Sequence, residues 1–163
     1  MAADHLPCVI DIEASGFGRN SYPIEIGYVR GDGQAWCTLV RPDADWTHWD
    51  PQAEALHHIA REVLLLHGRH ALDVARRLND ALAERTVYCD GWAHDYTWLA
   101  TLFEAAGLAP RFRLESVRQL LDDGQLARLD ALRQAAFDQL GIARHRASSD
   151  ARALQWALAQ LLA

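Results

Sequence analysis

The sequence contains no lysine: its sixteen basic residues are all arginine, set against 22 acidic residues for a formal charge of −6. Any cationic contact is therefore made by a planar, permanently charged fork rather than by a flexible ammonium. The acidic balance excludes a histone-like or polybasic binder, which needs a positive field to gather phosphates. Cysteine is scarce. Cys8, Cys37 and Cys89 are scattered, odd in number and form no C-x-x-C pair. Neither a disulfide framework nor a thiolate zinc site is indicated, and the three read as small hydrophobes in a reducing compartment. Neither G-x-x-x-x-G-K-[ST] nor G-x-G-x-x-G occurs, so no nucleotide cofactor is expected. No apolar run approaches the length of a membrane span. Met1 to Pro7, with Asp4 and His5, lacks the apolar core of a signal peptide. The expectation is a soluble, cytoplasmic protein with no membrane partner. Repeats, low-complexity tracts and linker-like stretches are also missing, which predicts a single domain over residues 1–163 with half its residues apolar.

The patterns that are present alternate between strand and helix. Cys8 to Glu13 reads as a strand that stops at Ser15-Gly16-Phe17-Gly18. Ile24 to Arg30 and Gln34 to Arg41 are β-rich runs joined by Gly31-Asp32-Gly33, a hairpin signal. Pro42 and Pro51 bracket a loop with Trp46 and Trp49. Beyond it, Leu72, Ala75, Leu78, Ala81 and Leu82 form one helical face. Thr86 to Cys89 is a short strand, Asp95 to Ala106 a helix ended by Gly107 and Pro110, and Phe112 to Ser116 a further strand. Two or three helices follow, the last from about Ser149 to Leu162. This order predicts an α/β fold with a mixed five-stranded sheet: an antiparallel meander, then parallel strands added through helical crossovers.

The acids sit in unusual places. Asp11 and Glu13 share one face of the first strand with Val9, while Ile10 and Ile12 occupy the other. Side chains two apart on a strand are close enough to converge on one cation. The alternative is an exposed face that the acids merely solvate. Asp95 falls at helical spacing with Leu99, Leu102 and Ala106, and Asp150 with Leu154, Ala157, Leu158 and Leu161. Each, taken singly, also reads as a helix N-terminal acid favoured by the macrodipole. A shared site for hard divalent cations accounts for all four at once, because such ions prefer oxygen ligands. His145, in a turn before the last helix, can lean over the same site, where a neutral imidazole is a suitable proton acceptor.

Asp11-Ile12-Glu13-Ala14-Ser15-Gly16, then Asp95, then His145 with Asp150 resembles the three exonuclease motifs of the DEDDh (DnaQ-like) 3′→5′ exonucleases, of ribonuclease H-like fold. Ile24-Glu25-Ile26-Gly27 is similar to the family's second strand, and Leu56-His57-His58-Ile59 to its His-Gly-Ile-Thr loop, with His58 where glycine is usual. The resemblance runs from Val9 to Leu162. Two departures stand out: Gly91 replaces an asparagine four residues before the second-motif aspartate, and Glu115-Ser116 replaces an Asp-Thr pair.

The resemblance implies hydrolysis of phosphodiester bonds with two divalent ions, Mg²⁺ or Mn²⁺, held by Asp11, Glu13, Asp95 and Asp150. His145 would take a proton from the attacking water, and nucleoside 5′-monophosphates would leave from the 3′ end of single-stranded DNA or RNA. Backbone groups of Ala14 and Ser15, the Phe17 ring, His57 and Trp92 would hold that end, Phe17 by stacking unless it serves only to pack the loop. Without a basic extension, short oligonucleotides or ends presented by a partner such as a polymerase are the expected substrates. Two rival readings are a nuclease-like scaffold without turnover and a ribonuclease H-like endonuclease. Arg111, Arg113, Arg118, Arg144 and Arg146 read either as phosphate contacts or as a solvated edge. His57, His58, His67 and His70 read as solvated helix ends rather than a zinc cluster.

Overall fold

The computed structural model describes residues 6–163. The expectation that Met1 to Pro7 is no signal peptide therefore falls almost wholly outside the described residues. Five strands, β1 (Cys8–Ala14), β2 (Pro23–Val29), β3 (Ala35–Leu39), β4 (Thr86–Cys89) and β5 (Arg113–Ser116), form one sheet in the order β3-β2-β1-β4-β5. The first three pair antiparallel, and β4 and β5 join parallel to β1. This is the mixed sheet that the strand and helix order predicts. Six helices flank it: α1 (Pro51–His57), α2 (Arg61–His67), α3 (Ala71–Leu82), α4 (Trp92–Ala106), α5 (Asp123–Leu140) and α6 (Ala147–Leu161). None of the helices among the described residues is long and apolar enough to cross a membrane.

Alternation along β1 divides the core in two. Cys8, Ile10, Ile12 and Ala14 pack with residues of α3 and α4, including Leu78, Leu99 and Leu102. Val9 points the other way, into a cluster with Val29, Leu129, Leu154 and Leu158 from β2, α5 and α6. The two acids of β1 follow Val9 on that second face. They lie toward the carboxyl end of the strand, where crevices form in sheets with parallel strands.

Local chemistry explains the helix ends. Asp50 accepts the Gln52 N–H ahead of α1, with Pro51 in its first turn. Asp122 and Gln125 close a reciprocal capping box on α5, and Gly107 ends α4 in the left-handed conformation. Two starts differ from expectation. Helix α4 begins at Trp92, so that Asp95 lies within its first turn. Helix α6 begins at Ala147, because the Ala147 N–H is taken up by the carboxylate of Glu25 on β2 at 2.6 Å. That cap comes from another strand, which no local sequence signal reveals.

Candidate active site

Strand β1 presents Asp11 and Glu13 side by side. Helix α6 is pressed against β2 opposite them: a Cβ built on Gly27, the cross-strand partner of Asp11, would lie 2.7 Å from the Ala147 carbonyl carbon and the Ser148 nitrogen. Only glycine lets the helix start come so close. Asp150, in the first turn of α6, thereby reaches β1. Ligand oxygens of Asp11, Glu13 and Asp150 lie within 4.8 Å of one another. Asp95 arrives from α4, which packs on the opposite face of the sheet, and is 5 % exposed. It lines a cleft of about 290 Å³ together with Asp11, Glu13 and His145.

His145 occupies a bend before α6 with φ 61°, a left-handed conformation uncommon for a residue with a side chain. Its ring is exposed at the cleft. Its backbone N–H donates to the Asp150 carboxylate, at 3.1 Å to Oδ2 and 3.3 Å to Oδ1. The bend and the helical aspartate are thus fixed to each other. The five residues singled out in the sequence for metal and proton chemistry converge on one place.

Burial and mutual repulsion dominate the electrostatics of the four acids. Burial pushes the Asp11 carboxyl well above its usual range, and Asp95, Glu13 and Asp150 push it further, with Arg133 opposing. Burial, then the charge of Asp150 and a hydrogen bond with it, moves Glu13 up to about 8. Burial raises Asp95 to about 7, against the relief of a hydrogen bond from the Cys89 thiol. Asp150 is raised by burial and relieved by its hydrogen bond with Glu13. Both shifts favour the protonated form of these neighbouring carboxyls over a pair of buried charges.

The donor set fits a divalent cation. All the donors are carboxylate oxygens, suited to hard ions. Asp11 Oδ2 is buried without any hydrogen-bond partner, an unsatisfied acceptor that a cation would satisfy. Among the described residues no other cluster of three or more histidine, cysteine or acidic side chains is placed to hold a metal. The four histidines from His57 to His70 do not form one.

The residues expected to hold a substrate divide. Ala14, Phe17 and His57 line the cleft. Phe17 is 64 % exposed and stands edge-on to His94, with ring centroids 5.1 Å apart. His57 is 2 % exposed; its Nδ1 accepts the Ile59 N–H at 3.0 Å. The ring proton then sits on Nε2, which is buried without a partner. Ser15 and Trp92 do not line the cleft. Ser15 is fully buried and pins the loop after β1: its N–H donates to Tyr22 O, its carbonyl accepts from Asp50 N–H, and its hydroxyl accepts from Tyr22 N–H and pairs with His48 Nδ1. Trp92 turns toward β5, where its indole N–H donates to the Leu114 carbonyl at 3.1 Å, and its ring stacks on Tyr96. An indole donor seeks the buried carbonyl beside it, which takes the ring away from the cleft.

Three features had no local signal. Glu25, 2 % exposed on β2, accepts from Arg146 Nη2 at 2.6 Å and from Arg146 Nε at 3.1 Å, as well as from Ala147 N–H. Arg146 is thereby tied to Glu25, and Arg144 lies over the Phe137 ring at 5.2 Å; neither acts as the free surface cation expected of a phosphate contact. Arg133 of α5 and Asp90, which follows β4, form an ion pair and both line the cleft. Glu25 at least stands out as an acid between isoleucines, as Asp11 does; its partner lies 121 residues away.

Compared by sequence, the chain matches no protein-family model and no curated protein. Compared by structure, it superposes on E. coli exonuclease I in complex with a dA16 oligonucleotide, with a TM-score of 0.70 and 16 % identity over 95 % of this chain and 40 % of that one. Exonuclease I from the moderately thermophilic Methylocaldum szegediense gives 0.66 and 16 % over 95 % and 39 %. The zinc-ion-bound form of the E. coli exonuclease I–ssDNA complex gives 0.68 and 16 % over 95 % and 39 %. The chain thus spans about two fifths of the length of these neighbours. Its mixed five-stranded sheet with flanking helices is the fold of the exonuclease I structures, the ribonuclease H-like arrangement expected from the resemblance.

Proposed function

We propose that this chain is a metal-dependent 3′→5′ exonuclease domain, spanning residues 1–163 and working in the cytoplasm, that removes nucleoside 5′-monophosphates from single-stranded DNA or RNA. The observation that carries the reading is the three-carboxylate cluster with its unsatisfied Asp11 oxygen, joined at one cleft by Asp95 and His145 in the order of the family's motifs. The exonuclease I neighbours crystallised with single-stranded oligonucleotides support the substrate class.

Asp11, Glu13 and Asp150, with Asp95 on the far side, would hold two Mg²⁺ or Mn²⁺ ions. When bound, such ions supply Lewis-acid stabilisation of charge on the attacking and leaving oxygens. Asp11 would be the central ligand, flanked by acids from both faces of the sheet. The exposed His145 ring takes the proton of the attacking water, and the hydrogen bond from its backbone to Asp150 sets its distance from the carboxylates. Phe17 offers a face for the terminal base, and Ala14 and His57 border the space that receives it. Short oligonucleotides, or ends presented by a protein such as a polymerase, are the proposed substrates, because a chain of formal charge −6 lacks the positive field that captures long strands.

A 5′-labelled single strand incubated with Mg²⁺ or Mn²⁺ should give a ladder shortening from the 3′ end, abolished by chelation. Degradation of a circular single strand would point instead to an endonuclease. Binding of Mn²⁺ in calorimetry without turnover of DNA or RNA, by protein shown to be folded, would overturn the exonuclease reading.

A further inference from the structure

The cleft has a charge problem. A phosphodiester must approach four carboxylates, and Arg133 is the only arginine among the described residues that line the cleft. Its side chain is held by an ion pair from one guanidinium nitrogen, Nη1, to Asp90. Its Nε, by contrast, is buried with no partner, an orphan donor in a structure whose other polar groups are mostly satisfied. The guanidinium is near enough to relieve Asp11, Asp95 and Asp150 of part of their mutual repulsion. A planar fork with one edge anchored and another unpaired is suited to take a phosphate oxygen.

We propose that Arg133 is a phosphate-binding residue of the cleft, anchored by Asp90 and donating to a backbone phosphate of the bound strand. The inference rests on the exonuclease reading and adds to it a contact that no motif predicts. Arg133 reaches the cleft from α5, an element that carries none of the motif residues. Asp90 in this view holds the guanidinium at the wall and competes mildly with the substrate for it.

The test is fluorescence anisotropy of a short fluorescein-labelled oligothymidylate, in Ca²⁺ to keep the carboxylates together, over a range of KCl concentrations. Arg133→Met should weaken binding roughly tenfold at moderate salt. It should also flatten the plot of log affinity against log salt by about 0.7, the share of one phosphate contact on a single strand. Arg133→Lys keeps the charge and should keep the slope while losing part of the affinity. Asp90→Asn frees the guanidinium and should bind as tightly as the unaltered protein or up to about threefold tighter. A merely structural ion pair predicts instead that Asp90→Asn and Arg133→Met weaken binding together with the slope unchanged, which would overturn the proposal. So would equal affinity and slope in Arg133→Met. Absence of binding by the unaltered protein at every salt concentration would instead bring down the exonuclease reading, and this inference with it.

Discussion

Asp95 and Asp150 reach the cleft from opposite faces of the sheet, each from the first turn of a helix that lacks a side-chain cap of its own. The start of α4 is held by burial: Asp95 is 5 % exposed, Trp98 and Leu99 behind it are buried, and the buried Cys89 thiol is the neighbour that eases the rise of its carboxyl. The start of α6 is held by charge: Glu25 grips Arg146 and the Ala147 N–H, and Gly27 lets the helix rest directly on β2. The difference teaches that an apolar wall and an ionic bolt can bring two acids from opposite faces into one cleft. The bolted side also carries the bend with His145, so the group expected to move a proton sits on the side whose position is fixed by hydrogen bonds of defined direction.

The largest effect should come from the strand that both helices meet. Asp11→Asn removes the proposed central ligand and should lower turnover by at least about a thousandfold. The same change should raise the melting temperature of the metal-free protein, since it relieves repulsion among buried acids. A lower melting temperature would show that the carboxylates do not repel as described.

The ionic bolt should break asymmetrically. Arg146→Ala leaves Glu25 buried with only the Ala147 N–H, and should destabilise the protein by about 3 kcal/mol in denaturant unfolding. Glu25→Ala releases a half-exposed arginine to water and should cost less, about 2 kcal/mol, mostly for the unsatisfied Ala147 N–H. Both should reduce turnover well beyond any change in KM, because Asp150 and His145 share that turn. Gly27→Ala tests the same side sterically: α6 must shift, with a loss of about 1–3 kcal/mol and weaker Mn²⁺ binding in calorimetry.

Acid–base linkage sharpens the contrast next. Glu13 and Asp95 have folded-state values raised to about 8 and about 7. The folded state then binds more protons than the unfolded one, and their contribution to stability falls as pH rises from about 4.5 to about 8. Without metal, the melting temperature should be higher at pH 5.5 than at pH 8.5, and saturating Mn²⁺ should narrow that gap. The smallest effect belongs to Trp92→Phe, which loses the bond to Leu114 and should cost about 1 kcal/mol with turnover within twofold. A large rise in KM would return Trp92 to the substrate path.

Much of this arrangement was legible in the sequence because it is periodic or local. Alternation placed Asp11 and Glu13 with Val9, helical spacing aligned Asp95 and Asp150 with their apolar faces, and the hairpin glycines joined the antiparallel strands. What escaped is non-local. Glu25 meets Arg146 across 121 residues, and Arg133 meets Asp90 across 43; no pattern within a window links such pairs. Trp92 and Ser15 lie outside the cleft lining for a related reason. Both are close to motif residues in the chain, but hydrogen bonds to Leu114 and Tyr22 aim them elsewhere.

The raised carboxyls of Glu13 and Asp150 set protons in competition with a divalent cation for the same oxygens. Ion uptake and proton release are then coupled. Apparent affinity for the ions should climb with alkalinity, and calorimetric heats should vary with the ionisation enthalpy of the buffer.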